Sequence, residues 1–442
     1  MAEQSGAVRS GAEQGESGAR PRFQRPERRQ IEWRPWSLDQ LLPDPHPARA
    51  VWDYVDGLDL SAFYADIRAV EGAAGRSPID PRILLSLWLL ATLDGVGAAR
   101  RLSRLCEQHL AYLWLCGGVS VNYHTLSDFR TQAGSQLDEL LTQSVAVLLH
   151  AGLVNLHRVA QDGMRVRASA GSSSFRRQPT LERCLAEAEA QLQALQEEAA
   201  VADAEDRRVR AARERATRER AERVQRALEA RVDVARRKEQ HQKGTGPQAR
   251  ASTTDPDARI MKMADGGFRP AYNVQFATTT DTRVIVGVDV VSAGTDGGQL
   301  GPLLEQVESR YGQRPQDYLA DGGFNKLDDI RRLEAGQTQV YLPVMELEQK
   351  RAKGIDPYAA LKGDPPEVAR WRERMGTAAA QAIYRERAAS AELANAGCRN
   401  RGLTQFMVRG LAKVKSVALW QALAHNLQRT LSLRGLGRAV AG

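Results

Sequence analysis

The sequence predicts an α/β fold that is preceded by an all-α region and interrupted by a long helical segment. Beyond Gly246, strand-like runs with period two alternate with helix-like runs, which is typical of α and β layers around a central sheet. Residues 36–150 instead carry apolar residues at helical spacing almost throughout. Residues 178–245 are rich in Ala, Glu, Gln, Arg and Leu, and between Pro179 and Gly244 they contain neither Pro nor Gly.

The chain is long and basic. Its 442 residues leave room for two or three domains with a large core. The formal net charge is +8, and much of the excess is arginine. Because the forked donors of arginine match the oxygens of phosphate groups, nucleic acid is the favoured partner class, with an ordinary basic protein as the alternative.

The cysteines and the apolar runs bear on the compartment. The four cysteines form neither a CxxC pair nor another zinc-binding spacing, which indicates reduced thiols in a cytosolic protein. The longest apolar run, 83–93, is well short of the about 20 residues that a bilayer-spanning helix needs, and the N-terminus lacks the apolar core of a signal peptide. We therefore expect a cytoplasmic protein that is neither secreted nor integral to a membrane.

The N-terminal third divides into an arm and a helical region. Residues 1–35 predict a disordered basic arm, which either touches DNA or stays solvated. Within 36–150, the run 83–90 is apolar on nearly all sides and follows Asp80-Pro81, so it predicts a core helix with an aspartate cap. We interpret 36–150 as a helical DNA-binding domain.

A second helix start in this region bears on DNA recognition. The stretch 120–130 could begin a recognition helix that holds His124 and Arg130 near DNA. The alternative is a small helical packing domain whose polar residues only face solvent, because helix-turn-helix signals in one sequence are weak.

The segment without Pro or Gly predicts a long helix or a helical hairpin, and a coiled coil is an open alternative. It turns strongly basic from Arg207 to Lys243, which fits a solvated face, a DNA-backbone contact or a dimer contact. We place it as an insertion at about 178–250, between the strand that carries Asp162 and the strand that contains Tyr272.

The C-terminal half predicts an ordered alternation of strands and helices. Strand-like runs at 272–278 and 284–290, separated by the turn signal Asp281-Thr282-Arg283, predict a hairpin. The elements that follow are a helix at 299–310, a strand at 317–320, a helix at 327–335, a strand at 339–343 and a helical block at 365–435.

Two strand-like runs end on an aspartate that is followed by glycine. Asp162 ends the first run and Asp321 ends the second, and the glycines permit tight turns and close approach by a DNA backbone. Mg²⁺ prefers carboxylate and water oxygens, and two such ions can stabilise the entering and leaving oxygens when a phosphodiester is attacked. Both aspartates are therefore candidate metal ligands, although each alone is also explained as a turn or cap residue.

A repeated pentapeptide offers a rival for the second aspartate. Ala-Asp-Gly-Gly-Phe occurs at 264–268 and again at 320–324. We favour Asp321 over Asp265 because a strand-like run precedes the second copy, whereas the first copy follows a loop-like stretch.

A glutamate in the last helical block is the candidate third carboxylate. Glu392 and Arg399 lie about 20° apart around a helix axis, so a carboxylate and a cation share one face. An ordinary surface ion pair is the alternative. Glu386 is the rival third carboxylate and ranks below Glu392.

An ordered set of motifs resembles the DDE transposases of bacterial insertion sequences. The motifs are Gln161-Asp162-Gly163, Asp255-Pro256-Asp257-Ala258-Arg259, Gly267 to Gln275, Asp321-Gly322-Gly323-Phe324, Tyr384-x-x-Arg387 with Glu392, Asn400-Arg401-Gly402-Leu403, and Ala424-His425-Asn426-Leu427. The set looks most like the insertion-sequence eleven-eighty-two family, which is related to the four and five groups. One piece would be a weak signal, but the ordered set is specific.

This resemblance implies an RNase H-like catalytic core, a mixed central sheet with flanking helices, over residues 151–435, with 436–442 as a tail. It implies that Asp162, Asp321 and Glu392 are the catalytic, metal-binding residues. The implied cofactor is Mg²⁺, with Mn²⁺ as a substitute.

The resemblance also implies DNA contacts on the last helices. Tyr384, Arg387 and Arg399 would position phosphates, with Arg401 as a further DNA contact. A lysine is usual at the place of Arg399, so the charge is kept while a point contact becomes a forked one. The implied partners are double-stranded DNA, as element ends and as target, and a second copy of the chain on paired ends. Such a protein would be bacterial and associated with the nucleoid.

We therefore expect a transposase that binds the terminal inverted repeats of its element, cleaves DNA there with Mg²⁺ and transfers the freed strand to target DNA. One alternative is a nuclease with the same core that does not join DNA. Another is a non-catalytic DNA-binding repressor derived from a transposase.

Overall fold

The fold was analysed in a computed structural model of the chain. It describes residues 35, 37–65, 67, 69, 77–198 and 204–435. The expected basic arm at 1–35, apart from Pro35, and the expected tail at 436–442 therefore lie outside the described residues.

Helices make up most of the described chain, and they both precede the first strand and follow the last one in sequence. The N-terminal helices are α1 (Pro47–Asp56), α2 (Ser61–Ala65), α3 (Pro81–Leu93), α4 (Ala99–Gln108), α5 (Leu110–Cys116), α6 (Tyr123–Gln132) and α7 (Gly134–His150). The later helices are α8 (Gln178–Glu198), α9 (Ala204–His241), α10 (Leu300–Tyr311), α11 (Leu327–Ala335), α12 (Leu347–Ala352), α13 (Pro366–Met375), α14 (Ala378–Arg387), α15 (Leu393–Asn400) and α16 (Leu411–Leu433).

The strands form one large and one small sheet. They are β1 (Arg158–Arg167), β2 (Phe175–Arg176), β3 (Ala251–Ser252), β4 (Arg259–Lys262), β5 (Phe268–Thr279), β6 (Ile285–Val291), β7 (Asp317–Leu319) and β8 (Gln339–Tyr341). In the large sheet β5 pairs antiparallel with β1, β4 and β6, whereas β1, β7 and β8 pair in parallel. The order is β4-β5-β1-β7-β8, and β6 lies beside β4 along the free edge of β5.

The N-terminal helices share their core with the end of the chain. The predicted core helix is present as α3, and the Asp80 side chain caps it by accepting a hydrogen bond from the Arg82 amide. The Trp420 indole of α16 donates to the Arg130 carbonyl at 3.1 Å, and its ring centroid lies 6.4 Å from that of Trp88. The Asn426 side chain bonds both backbone groups of Ile285, which ties α16 to β6. The helical region and the sheet are thus joined through α16.

The segment without Pro or Gly forms a helical hairpin. Helices α8 and α9 pack against each other, and Arg220 of α9 pairs with Glu187 of α8 at 3.8 Å. The hairpin leaves the large sheet after β1 and returns before β4 and β5, with the small β2–β3 sheet at its base. The antiparallel partners β1 and β5 are therefore neighbours in space although the whole hairpin separates them in sequence.

The expected strand and helix order of the C-terminal half is present, and three short features were not predicted. Strand β4 lies where the sequence indicated a loop before Asp265, because its four residues are too few to show an alternating pattern. Helix α12 spans only six residues, and a π-helical segment, Ala388–Glu392, interrupts the last helical block.

No helix in the described ranges combines the length and apolar character required to span a bilayer.

Candidate active site

Two aspartates lie at matching levels of neighbouring parallel segments, Asp162 within β1 and Asp321 two residues beyond the end of β7. Ala160 of β1 is paired with Leu319 of β7. Asp162 and Asp321 each lie two residues further on, so the same register brings them side by side. Adjacent strands lie about 4.8 Å apart, so both carboxylates reach one small region at this edge of the sheet.

The half-buried carboxylate of Asp162 is held by two hydrogen-bond donors. Its Oδ1 accepts a hydrogen bond from the Gly163 amide at 2.9 Å, and its Oδ2 accepts one from Asn395 Nδ2 at 2.8 Å. Burial, followed by the charge of Asp321, raises the pKa of Asp162 to about 6, although both hydrogen bonds oppose the rise. The two aspartates thus form a site in which negative charge is destabilised and a cation would be stabilised.

Asp321 begins a short 3₁₀ turn, Gly322–Phe324. Its Oδ1 accepts a hydrogen bond from the Gly323 amide at 2.8 Å. Phe324 is fully buried below the turn, which anchors the loop to the core. The aspartate is therefore both a cap residue, as the alternative interpretation proposed, and a residue of the cavity.

The π-helical segment brings Glu392 to the same cavity. In a regular α-helix, residues five apart lie about 140° from each other around the axis, whereas the wider π turn brings them onto one face. Arg387 Nη2 accordingly pairs with Glu392 Oε1 at 2.6 Å. The sequence had suggested regular helical geometry through this block, and the π segment corrects that expectation.

The two rival carboxylates lie elsewhere. Both carboxylate oxygens of Glu386 accept hydrogen bonds from Arg158 Nη1 at 2.8 Å, and this pair lines a different cavity. Asp265 is exposed in the turn between β4 and β5 and pairs with Arg269 at 2.7 Å. The geometry therefore favours Asp321 and Glu392 over both rivals.

Asp162, Asp321 and Glu392 line one open cavity of about 540 Å³. Arg387, Asn395 and Arg399 complete much of its wall. Within the described ranges, however, no three or more His, Cys, Asp or Glu side chains are gathered closely enough to hold a metal ion. The carboxylate of Glu392 is turned toward Arg387, so the expected three-ligand set shares a cavity but is not assembled.

Two polar residues of this region were missed in the sequence. Asn395 is 1% exposed, and its Oδ1 has no hydrogen-bond partner within the described structure. Asp296 is buried behind β1, where it accepts hydrogen bonds from Asn273 and Gln275 and pairs with Arg165 at 2.7 Å. The contacts of Asn395 and Asp296 join separate elements of the fold. Neither residue lies in a sequence motif that would have drawn attention to it.

The predicted DNA-contacting residues separate into cavity residues and packing residues. Arg387 and Arg399 line the cavity, and Tyr384 lies beside Arg387, with its ring centroid 5.8 Å from the guanidinium carbon. Arg401 instead bonds to Gln428 at 3.1 Å, in a half-buried position.

The two predicted contacts on α6 also differ. His124 is exposed at the start of the helix, with its ring against Tyr123. Arg130 donates to the Gly97 carbonyl and lies over the Trp88 ring at 4.8 Å, and burial lowers its pKa to about 10. A DNA contact by Arg130 or Arg401 stays a prediction, and it would require these guanidinium groups to leave their present partners.

Comparison with known families gives two matches along the chain. Residues 36–132 match a family described as a transposase domain (DUF772), and residues 237–427 match a family described as a transposase DDE domain. The second match contains Asp321 and Glu392, whereas Asp162 lies between the two matches. No significant match was found among curated proteins or among solved structures.

The two matches follow each other in the order that the motif resemblance predicted. Enzymes of the DDE class cleave DNA and transfer the cut strand, and they generally use divalent metal ions. No particular insertion-sequence group is distinguished by these matches. The chain belongs to the DDE transposases of insertion sequences.

Proposed function

We propose that this transposase binds the terminal inverted repeats of its own element, cleaves DNA at the ends with Mg²⁺, and joins the freed 3′-hydroxyl to target DNA. The observation that carries the proposal is the convergence of Asp162, Asp321 and Glu392 on one cavity beside cationic side chains. A nuclease that does not join strands remains the second candidate, since its site would need the same carboxylates.

The catalytic core is proposed to be RNase H-like. In its support, three antiparallel strands, β6, β5 and β1, continue into the parallel strands β7 and β8, with helices packed against the sheet. In this arrangement β1 supplies Asp162 and the turn that follows β7 supplies Asp321, both from the middle strands of the sheet.

Asp162 and Asp321 are the residues that would hold Mg²⁺, or Mn²⁺ in its place. Their chemistry fits, because hard divalent cations prefer carboxylate oxygen and because the two negative charges destabilise each other without a cation. Glu392 would complete the ligand set once its carboxylate left Arg387 and turned toward the ion. A bound pair of Mg²⁺ ions would supply charge stabilisation at the entering and leaving oxygens.

The remaining cavity residues act on the DNA or on the ligands. Arg387, released by Glu392, and Arg399 would hold phosphate oxygens of the cleaved strand. Tyr384 packs beside Arg387 and would keep its guanidinium at the cavity. Asn395 holds the Asp162 carboxylate in place, which makes it a positioning residue.

End recognition is proposed for the helical region at 36–150, with the exposed His124 among its DNA contacts. Paired ends call for two copies of the chain, so a homodimer on DNA is part of the proposal. The site of action would be bacterial DNA in the nucleoid.

The test uses duplexes that carry the inverted repeats flanking the gene. We expect Mg²⁺-dependent nicking at the repeat ends, and strand transfer into a plasmid when precut ends are supplied. Asp162→Ala should abolish both reactions while leaving repeat binding in gel-shift assays intact. Nicking without strand transfer would favour the nuclease, whereas cleavage that survives Asp162→Ala would overturn the assigned site.

A further inference from the structure

A second cavity lies between the end of the helical hairpin and the large sheet. It has a volume of about 580 Å³. Arg237, Lys238 and His241, from the last turns of α9, line one side of it. The loop that follows β6 lines the other side, and Arg259 lies at the start of β4.

The charges that face this cavity are unbalanced. Asp233 is the acidic residue on its wall, and its carboxylate is paired with Arg236 at 2.6 Å. Arg237 and Lys238 are exposed and have no ion-pair partner among the described residues. Three permanent cations therefore face the cavity against one carboxylate that is already paired, an arrangement that stabilises a bound anion.

Arg259 adds a cation that is partly removed from water. Its Nη1 donates to the carbonyls of Pro256 and Ala258, so the guanidinium is fixed by backbone rather than by a carboxylate. Burial lowers the pKa of Arg259, the nearby Asp257 opposes the fall, and the charge of Arg237 adds to it. An anion bound between the guanidinium groups of Arg237 and Arg259 would reduce the repulsion between them.

The cavity is tied to the catalytic site through the loop after β6. Strand β6 runs parallel to β1, since both pair antiparallel with β5, so its loop leaves the sheet at the edge where Asp321 follows β7. In that loop the Gln299 carbonyl accepts a hydrogen bond from Gln161 Nε2 at 3.1 Å, next to Asp162. The same loop thus contacts the neighbour of a catalytic aspartate and forms a wall of the basic cavity.

We propose that the basic cavity binds the phosphodiester backbone of DNA as the duplex continues past the catalytic cavity, so that the last turns of α9 are a DNA-contacting element. The proposal rests on the proposed function, because it places a second stretch of the same substrate. A polyanionic strand fits better than a small anion, since the cavity is open to solvent and three separate cations line it.

The test compares two double variants of α9 that remove equal charge. Arg237→Gln with Lys238→Gln changes the cavity wall. Arg213→Gln with Arg215→Gln is the matched control, since both of those arginines are exposed and lie outside the cavity. Thermal melts of both variants verify folding, and fluorescence anisotropy measures binding to repeat-end duplexes between 50 and about 300 mM salt.

We expect the cavity variant to bind repeat ends more weakly. The negative slope of log K against log salt should become shallower by about 0.9 for each phosphate that the variant no longer neutralises. If end binding is unchanged but transfer into a target plasmid falls, the cavity holds target DNA. Equal behaviour of the cavity and control variants in both assays would overturn the proposal. Wild-type protein without metal-dependent cleavage would instead overturn the proposed function, so the two failures are distinguishable.

Discussion

The pentapeptide Ala-Asp-Gly-Gly-Phe occurs twice in this chain, and its two copies have different environments. In the first copy, Asp265 lies in an exposed hairpin turn and Phe268 is 67% exposed. In the second copy, Asp321 faces the candidate active-site cavity and Phe324 is fully buried. The local chemistry is the same, since each aspartate caps its turn by accepting from the second glycine, Gly267 or Gly323.

The difference arises from the strand that precedes each copy. Strand β4 pairs antiparallel with β5 at the outside of the sheet, so its turn points into solvent. Strand β7 lies between β1 and β8 in parallel register, so its end is held beside Asp162. A motif of five residues therefore specifies a capped turn, while sheet topology decides whether that turn is functional.

The largest expected effect is the difference between Asp321→Asn and Asp265→Asn, the same substitution in the two copies. Asp321→Asn removes a negative charge from the proposed metal site and should slow single-turnover DNA cleavage by roughly 10³-fold or more, because metal ions contribute several kcal/mol to such transition states. Asp265→Asn, at an exposed turn, should change the rate by less than about twofold. Equal losses in the two variants would show that the copies do not differ in the way the sheet indicates.

A smaller effect is expected from Asn395, which holds Asp162 across the cavity. Asn395→Ala should raise the Mg²⁺ concentration for half-maximal cleavage by about 10- to 100-fold, since residues that orient metal ligands typically contribute this much. Mn²⁺ binding, followed by electron paramagnetic resonance without DNA, should weaken in parallel. Asn400→Ala, an exposed amide on the same helix, is the control. An unchanged Mn²⁺ affinity would limit Asn395 to packing.

Asn395 also shows where prediction from the sequence reached its limit. The strands near Asp162 and Asp321 were predictable from local apolar and β-branched runs, but the predicted end of the first was wrong, because β1 continues through Asp162 to Arg167. The hydrogen bond from Asn395 to Asp162 instead joins residues 233 positions apart, and no local pattern encodes it. Asp296 lies 21 to 131 positions from its partners on β5 and β1, and it too is placed only when the sheet has formed.

Among the helices, the same distinction between local and long-range signals holds. The core helix α3 was predicted with its Asp80 cap, because cap and apolar run are adjacent in sequence. The π segment was not predicted, since Ala388–Glu392 reads as ordinary helical sequence. It becomes recognisable only from the ion pair between Arg387 and Glu392, which are five residues apart.

The raised pKa of Asp162 predicts a cost to stability that Asp265, whose pKa is lowered by its hydrogen bond with Arg269, does not share. Since the folded pKa is about 6 and the ordinary value is 3.8, the unfolded chain ionises first as the pH rises. The free energy of unfolding should fall between about pH 4 and pH 6 by on the order of 1–3 kcal/mol, and the loss should be complete above that window.

Asp162→Asn should therefore raise the melting temperature of the metal-free protein by a few degrees at pH 7.5 and leave it unchanged near pH 4. Melts in EDTA measure the difference, and Mg²⁺ should stabilise the wild type but not the variant. A variant that melts below the wild type at pH 7.5 would contradict the assigned direction of the pKa.

A packing effect of similar or smaller size is expected from two glycines near these aspartates. A β-carbon on Gly163 would lie 2.2 Å from Asp296 Oδ1, inside a buried network, so Gly163→Ala should cost about 1–3 kcal/mol of unfolding free energy. A β-carbon on Gly267 would meet the mobile end of the Arg269 side chain at 3.0 Å, so Gly267→Ala should cost less than about 0.5 kcal/mol. Urea titrations measure the unfolding free energy of both variants. Equal losses in Gly163→Ala and Gly267→Ala would contradict this prediction.

At Arg399, an exposed cation of the same cavity wall, the expected effect depends on whether the charge is kept. Arg399→Lys keeps the charge and restores the residue that the resemblance makes usual, so DNA cleavage should change by less than about threefold. Arg399→Gln removes a charged hydrogen-bond donor to phosphate, and at about 1.5–3 kcal/mol for such a bond the rate should fall about tenfold or more. Single-turnover rates at saturating DNA separate the two variants. If Lys and Gln cause equal losses, the forked geometry of arginine matters here and a point charge does not suffice.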